Sequence, residues 1–215
     1  MRLLIMCSAI DSWIRKMIKK NGVFICIEGL DGSGKTTQAK LLAKKLKKIY
    51  DVFCTSEPSK GLVGTFIRKS YLYRKNRLSP LVEALLFAAD RIEHVENKII
   101  PALKKGKIVI SDRYIYSSLA YQSSVEVGLH WIQTINKSIL YPDIAIFLDV
   151  NPETVSYRLN SEKSVMENLE TQRKVREVYL KFVADKKLIL LNGENAKIQV
   201  AKELFSIVQN FLNEC

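Results

Sequence analysis

The stretch Gly29-Leu30-Asp31-Gly32-Ser33-Gly34-Lys35-Thr36 constrains this chain more than any other, because it fits G-x-x-x-x-G-K-[ST] and lies between an apolar run and an amphipathic one. Glycines at these positions let successive backbone N–H groups turn inward around phosphate oxygens. Lys35 is placed to reach the outer phosphates, and the Thr36 hydroxyl to take a place on Mg²⁺. Gly29 through Thr37 are therefore the candidate residues for binding a nucleotide's phosphates. Residues 23–27 read as a buried parallel strand, and Ala39, Leu42, Ala43 and Leu46 predict a helix over 38–48. A helix that starts beside the cradle adds its positive dipole end where an anion would sit.

Further strand-like runs fall at 52–55, 108–111, 144–150 and 188–191, with helical patterns between them. That alternation predicts an α/β fold: a five-stranded parallel sheet with helices on both faces. Ligands in such sheets sit beyond the carboxyl ends of the strands. The cradle follows the first run, Glu57-Pro58 the second and Asp112-Arg113-Tyr114 the third, so three polar loops are expected to converge on one edge. Residues 161–170 are the best candidate for a mobile polar segment.

With 215 residues the chain holds one α/β domain, with or without a small lid. The formal charge of +12 suits a protein that handles polyanions and equally a nucleic-acid binder. Its distribution favours the first, because Lys44, Lys45, Lys47 and Lys48 end one expected helix and Lys104, Lys105 and Lys107 another, as solvated charges at the negative dipole end. Expected partners are thus small molecules, with neither nucleic acid nor membrane among them. Cys7, Cys26, Cys54 and Cys215 show no metal-binding or disulfide spacing, which fits a reducing cytoplasm, and no apolar run is long enough to span a bilayer. In residues 1–20, Ile10, Trp13, Ile14, Met17 and Ile18 recur at helical spacing. They read either as a helix packed on the domain or a partner, or as a mis-assigned leader before a natural start at Met17.

An acceptor that is itself a phosphate would be repelled by the donor: two like charges about 5 Å apart at an effective dielectric near 20 cost roughly 3 kcal/mol per unit pair. Arg68, Arg91 and Arg113 are the candidates to offset this, each close after a strand-end loop or on a helix that can lean over the edge; alone, each could equally be a solvated helix charge. Asp112, after an apolar run, is placed either to hold Mg²⁺ or its water opposite the cradle or to cap the helix beginning at Tyr114. Phe87, one helical turn before Arg91, reads either as a base-stacking face or as core.

Taken in order, the cradle with its leading Ile27-Glu28, Glu57-Pro58 with Arg68 beyond, Leu86-Phe87-Ala88-Ala89-Asp90-Arg91, the run from Asp112-Arg113-Tyr114 to Tyr121-Gln122, and Pro142-Asp143 resemble the thymidylate kinase family. These are P-loop nucleoside monophosphate kinases that phosphorylate dTMP from ATP. The resemblance runs from about residue 23 to the C-terminus. It implies a P-loop NTPase fold with a short lid at about 159–171, one kinase domain over 21–215, Mg²⁺ and a homodimer. It also implies that Asp31 holds the acceptor 3′-hydroxyl and that Arg68 and Arg113 bind its 5′-phosphate. Phe87 stacks on thymine, and Arg91, Ser118 and Gln122 read its edge. Tyr121 lies against the deoxyribose, and Glu57 sits near sugar and metal.

Two departures stand out. Where the family commonly reads Arg-Glu-Pro-Gly-Gly, this chain reads Ser56-Glu57-Pro58-Ser59-Lys60, which gives Lys60 a charge otherwise supplied by arginine. Members also carry an arginine over the transferring phosphate, in the cradle or the lid; here the candidates are Arg158 and Arg173, flanking a lid that offers only Lys163. Rival readings are a deoxynucleoside kinase, with Glu57 as base for a neutral 5′-hydroxyl, a monophosphate kinase of broader acceptor range, and a non-catalytic nucleotide sensor or nucleic-acid binder.

Overall fold

The computed structural model describes residues 22–70, 78–125, 127–158 and 168–214. The expected N-terminal helix and residues 159–167 of the expected lid lie outside them. Five strands, β1 (Val23–Glu28), β2 (Val52–Ser56), β3 (Ile108–Asp112), β4 (Ile144–Asp149) and β5 (Ile189–Asn192), pair in parallel in the order β2-β3-β1-β4-β5. The helices are α1 (Lys35–Leu46), α2 (Leu62–Ser70), α3 (Pro80–His94), α4 (Ile100–Lys104), α5 (Ile115–Ser123), α6 (Leu129–Ile135), α7 (Pro152–Arg158), α8 (Leu169–Ala184) and α9 (Lys197–Glu214).

Strand periodicity divides the core in two. Phe24, Cys26, Val109, Ala145 and Phe147 point to the face covered by α5 and α8, while Ile25, Ile27, Ile110, Ile146 and Leu148 point to α1 and α9. Because both faces are buried, the central strands read as continuous apolar runs, and each buried Ile, Val or Phe contributes about 1.5–3 kcal/mol. Edge strand β5 behaves differently: Ile189 and Leu190 are exposed and only Leu191 faces inward.

The helix expected over 38–48 begins earlier, at Lys35, because Gly34 takes the left-handed conformation (φ 98°) that closes the cradle and serves as its N-cap. Nor is every helix-end lysine merely solvated: Lys45 Nζ lies 3.5 Å above the Phe205 ring of α9. Helix α3 starts at Ser79, whose side chain accepts from Val82 N–H, with Pro80 in the first turn. It runs through a π-turn, Val95–Ile99, into α4, where Pro101 brings no N–H to continue the α-helical ladder.

The strand order sets β1 between β3 and β4, so the cradle leaves the sheet at its switch point, flanked by the loop after β3. As expected, the carboxyl-end loops of β1, β2 and β3 open into one cleft.

Candidate active site

The cleft encloses about 1650 Å³, beyond the roughly 300–1,000 Å³ of a single small-ligand pocket, and so has room for two ligands end to end. One end is the cradle. Gly29 (φ 151°) could not carry a side chain, since a Cβ there would sit 2.7 Å from Leu148 O and 2.9 Å from Ser33 Oγ. Gly32 is also at positive φ; Leu30 and Ser33 are buried, and Ser33 N–H closes a turn onto Leu30 O. Among the described residues no side chain caps α1, which leaves its first N–H groups for an anion. Lys35 folds back over the loop, donating to Leu30 O at 2.5 Å. Burial, assisted by Arg113, lowers its pKa to about 8. The Thr36 hydroxyl donates to Asp112, which joins the two candidate metal residues across β1 and β3. Asp112 ends β3, and Tyr114, not Asp112, is the N-cap of α5.

Beside the cradle stands Arg113, in the left-handed region (φ 70°), a conformation unusual for a side chain of this size. Its backbone is pinned by N–H to Ile27 O, and its guanidinium reaches Asp31 at 2.5 Å and Ser117 Oγ at 2.8 Å. Tyr121 Oη completes the knot, donating to Asp31 at 3.0 Å and accepting from the Asp31 N–H at 3.1 Å. Burial works to raise the Asp31 carboxyl, but Arg113 and Lys35 outweigh it and hold the group below the usual range. Burial likewise opposes the charge on Arg113, and Asp31 more than restores it.

This loop is held by Glu28, which sequence reasoning had not assigned a role. Wholly buried, its carboxylate accepts from Tyr114 N–H (3.0 Å), Ser117 N–H (3.2 Å), Ser117 Oγ (2.6 Å) and Tyr179 Oη (3.1 Å), and so caps α5 from β1. The available signal was a charge ending the apolar run of 23–27.

Helix α3 supplies the other wall. Phe87, Asp90, Arg91 and His94 recur on one face, and all but Phe87 are buried. Phe87 is half-buried and lines the cleft. Arg91 is 1% exposed and already engaged: it donates to Glu57 (2.9 Å), Asn136 (2.7 Å), Ser118 Oγ (2.8 Å) and Tyr114 O (3.4 Å). Such a guanidinium is a poor clamp for an incoming phosphate. Asp90 takes the Ser59 N–H and hydroxyl, and Glu93 takes the Leu62 and Val63 N–H groups, so the loop after β2 is fastened to α3 at both ends. Burial raises the Asp90 carboxyl despite those bonds. Gly64 is needed for this close approach: a Cβ there would lie 2.3 Å from Ser59 O and 2.5 Å from Asp90 Oδ1.

At the mouth, Arg68 is exposed and lines the cleft, its guanidinium donating to Ser56 Oγ at 3.2 Å and to Pro58 O. Gln122, also lining the cleft, is buried with Oε1 lacking a protein partner, which leaves a polar atom for a ligand. His94 and Asn136 were not singled out by sequence reasoning, since neither stands in a motif; only the fold brings them to Glu57 and Arg91.

The sequence profile of thymidylate kinase matches residues 27–204. This chain belongs to the thymidylate kinase family. It is 44% identical over 201 residues to a probable thymidylate kinase of Pyrococcus abyssi (strain GE5 / Orsay), a match covering 89% of this chain and 98% of that protein. A probable thymidylate kinase of Thermococcus gammatolerans (strain DSM 15229 / JCM 11827 / EJ3) is 42% identical over 87% of this chain and 96% of its own length. The thymidylate kinase of Caldanaerobacter subterraneus subsp. tengcongensis (strain DSM 15242 / JCM 11007 / NBRC 100824 / MB4) is 40% identical over 89% and 97%.

The departures from the family pattern have visible consequences. Ser56 serves as an acceptor for Arg68, and Lys60 is exposed on the cleft wall. Arg173 is paired with Glu153 at 2.5 Å and Arg158 is exposed at the end of α7; neither lines the cleft. Arg176 forms a two-point pair with Asp149 at the end of β4.

Proposed function

We propose that this chain transfers the γ-phosphoryl group of ATP to dTMP, giving dTDP and ADP, with the two nucleotides meeting tail to tail between the cradle and Arg113. The observation that carries this reading is the Asp31–Arg113 contact, which makes a cradle residue and an acceptor-side arginine parts of one site. ATP phosphates would lie on the α1 N-terminus under Lys35. The acceptor phosphate would lie between Arg113 and Arg68, with Lys60 adding charge at the mouth. Phe87 supports the thymine ring, Ser118 and Gln122 offer polar atoms at its edge, and Asp31 and Tyr121 face the deoxyribose. In this reading Arg91 acts by holding Glu57 and Ser118 rather than by gripping phosphate.

The reacting acceptor oxygen is already anionic, so no strong base is needed; placement and charge cancellation supply most of the rate. The deoxynucleoside kinase reading is weaker because the oxygens of Glu57 already accept from Arg91 and His94. Thr36 and Asp112 fit a Mg²⁺ that takes its remaining ligands from water and phosphate. When bound, the ion would neutralise charge on the donor phosphates.

The same proposal extends to one kinase domain from residue 21, with a lid at about 159–171, working in the cytoplasm. Among the described residues no helix is long and apolar enough to cross a membrane. It also includes a homodimer: Leu81, Val82, Leu85 and Ile92 form an exposed apolar stripe on α3, opposite the Phe87–His94 face. Leu85→Glu is expected to convert a dimer to a monomer in sedimentation.

Release of ADP with dTMP and with thymidine as acceptors tests the central claim. Turnover on dTMP and none on thymidine is expected; the reverse would overturn it.

A further inference from the structure

His94 is buried, lines the cleft and enters the reading above only as a partner of Glu57, with no role of its own toward a substrate. Its Nδ1 lies 3.1 Å from Glu57 Oε1, and its Nε2 lies 2.5 Å from Thr55 Oγ1. A carboxylate only accepts, so Nδ1 carries the hydrogen, and in the neutral ring Nε2 accepts from the Thr55 hydroxyl. With both nitrogens engaged, the ring has nothing left to exchange with a substrate. We propose that His94 is a positioning residue of the acceptor site: it locks the orientation of the Glu57 carboxylate by bracing it against β2.

The need for a brace follows from the torsion. The last bond of a glutamate side chain has a broad, nearly two-fold potential, so one anchor leaves the other oxygen free to swing. Arg91 holds Oε2 and carries the compensating charge. His94, three residues further along α3, reaches Oε1 and so fixes the carboxylate plane. Its far nitrogen is tied to Thr55 of β2, two residues before Glu57, which follows directly on the end of that strand. The imidazole thus spans 55 and 57, and the lone pairs that Glu57 turns to the cleft point in one direction. The energetic case for two partners is strong as well, since the Glu57 side chain is only 3% exposed and a carboxylate so buried is costly unless well bonded.

This inference rests on placing Glu57 in the acceptor half, and the test separates the two. In His94→Asn the amide nitrogen takes the place of Nδ1 and keeps the donated bond to Glu57; in His94→Gln it takes the place of Nε2, where it can only donate to Thr55 Oγ1, and Glu57 is left without that partner. KM and kcat for dTMP, KM for ATP and the thermal midpoint are measured for both. His94→Asn is expected to retain kcat/KM for dTMP within about threefold, and His94→Gln to lose about 10- to 100-fold, with KM for ATP unchanged in each. Equal losses in the two variants, or none in either, would overturn the role of His94 while leaving Glu57 in place. Unchanged dTMP kinetics in Glu57→Gln would remove Glu57 from the acceptor half, and the brace with it.

Discussion

The two ends of the cleft are built by different means. The end proposed for the donor is nearly all local: one segment, 29–37, whose shape comes from glycines at positive φ and which presents backbone N–H groups at a helix start. The end proposed for the acceptor has no such segment. Its groups come from the loop after β2, from α2, α3 and α5, and from the loop after β3, and several are held by buried partners elsewhere: Glu57 by Arg91 and His94, Ser59 by Asp90, the Arg113 loop by Glu28. A locally built site is sensitive at the residues that touch the ligand. A site assembled from distant side chains is equally sensitive at residues that touch none.

That contrast can be broken by experiment. The largest effect is expected for Arg91→Ala, which leaves Glu57 buried without its charge partner. Denaturant unfolding should show a loss of about 3–5 kcal/mol, with a raised KM for dTMP. Lys35→Ala should do the opposite, lowering kcat by about 10²–10³-fold in the ADP-release assay while the melting curve holds or rises, because the lost cation was desolvated. If Lys35→Ala unfolded the protein and Arg91→Ala did not, the comparison would be inverted. Glu28→Gln turns an amide toward N–H and O–H donors. It should cost about 1–3 kcal/mol and raise KM for dTMP, not for ATP, because the loop it holds carries Arg113.

The smallest effect concerns pH. Lys35 has a folded pKa of about 8, below the ordinary 10.5. Between those values the unfolded chain holds a proton that the folded one has released, so the ligand-free protein should gain stability as pH rises through that window. Nucleotide affinity should fall over the same interval as the charge on Lys35 is lost. Calorimetry near pH 8 in buffers of different ionisation enthalpy should show proton uptake on ATP binding; no uptake would mean that Lys35 is already fully charged in the free protein.

How much was legible follows the same division. The cradle, the five strands and the Asp112-Arg113-Tyr114 loop could be read because each announces itself within a few residues: glycine spacing, an apolar run, a charge at its end. The β5 boundary was shifted because an edge strand is only half covered, which blurs its pattern. Arg91 was visible as an arginine near the cleft, but its burial among Glu57, Asn136 and Ser118 was not, since those partners lie 34, 45 and 27 residues away. His94 carried no motif at all.

By itself the sequence determined the phosphate-binding segment, the parallel sheet and the family, because backbone conformation and strand periodicity are set by neighbours along the chain. Only the tertiary structure decided which acceptor-side charges are free and which are spent on one another. A buried ion pair depends on what two distant elements bring within hydrogen-bond reach, and in this chain α3 does so by setting Arg91 and His94 on either oxygen of Glu57.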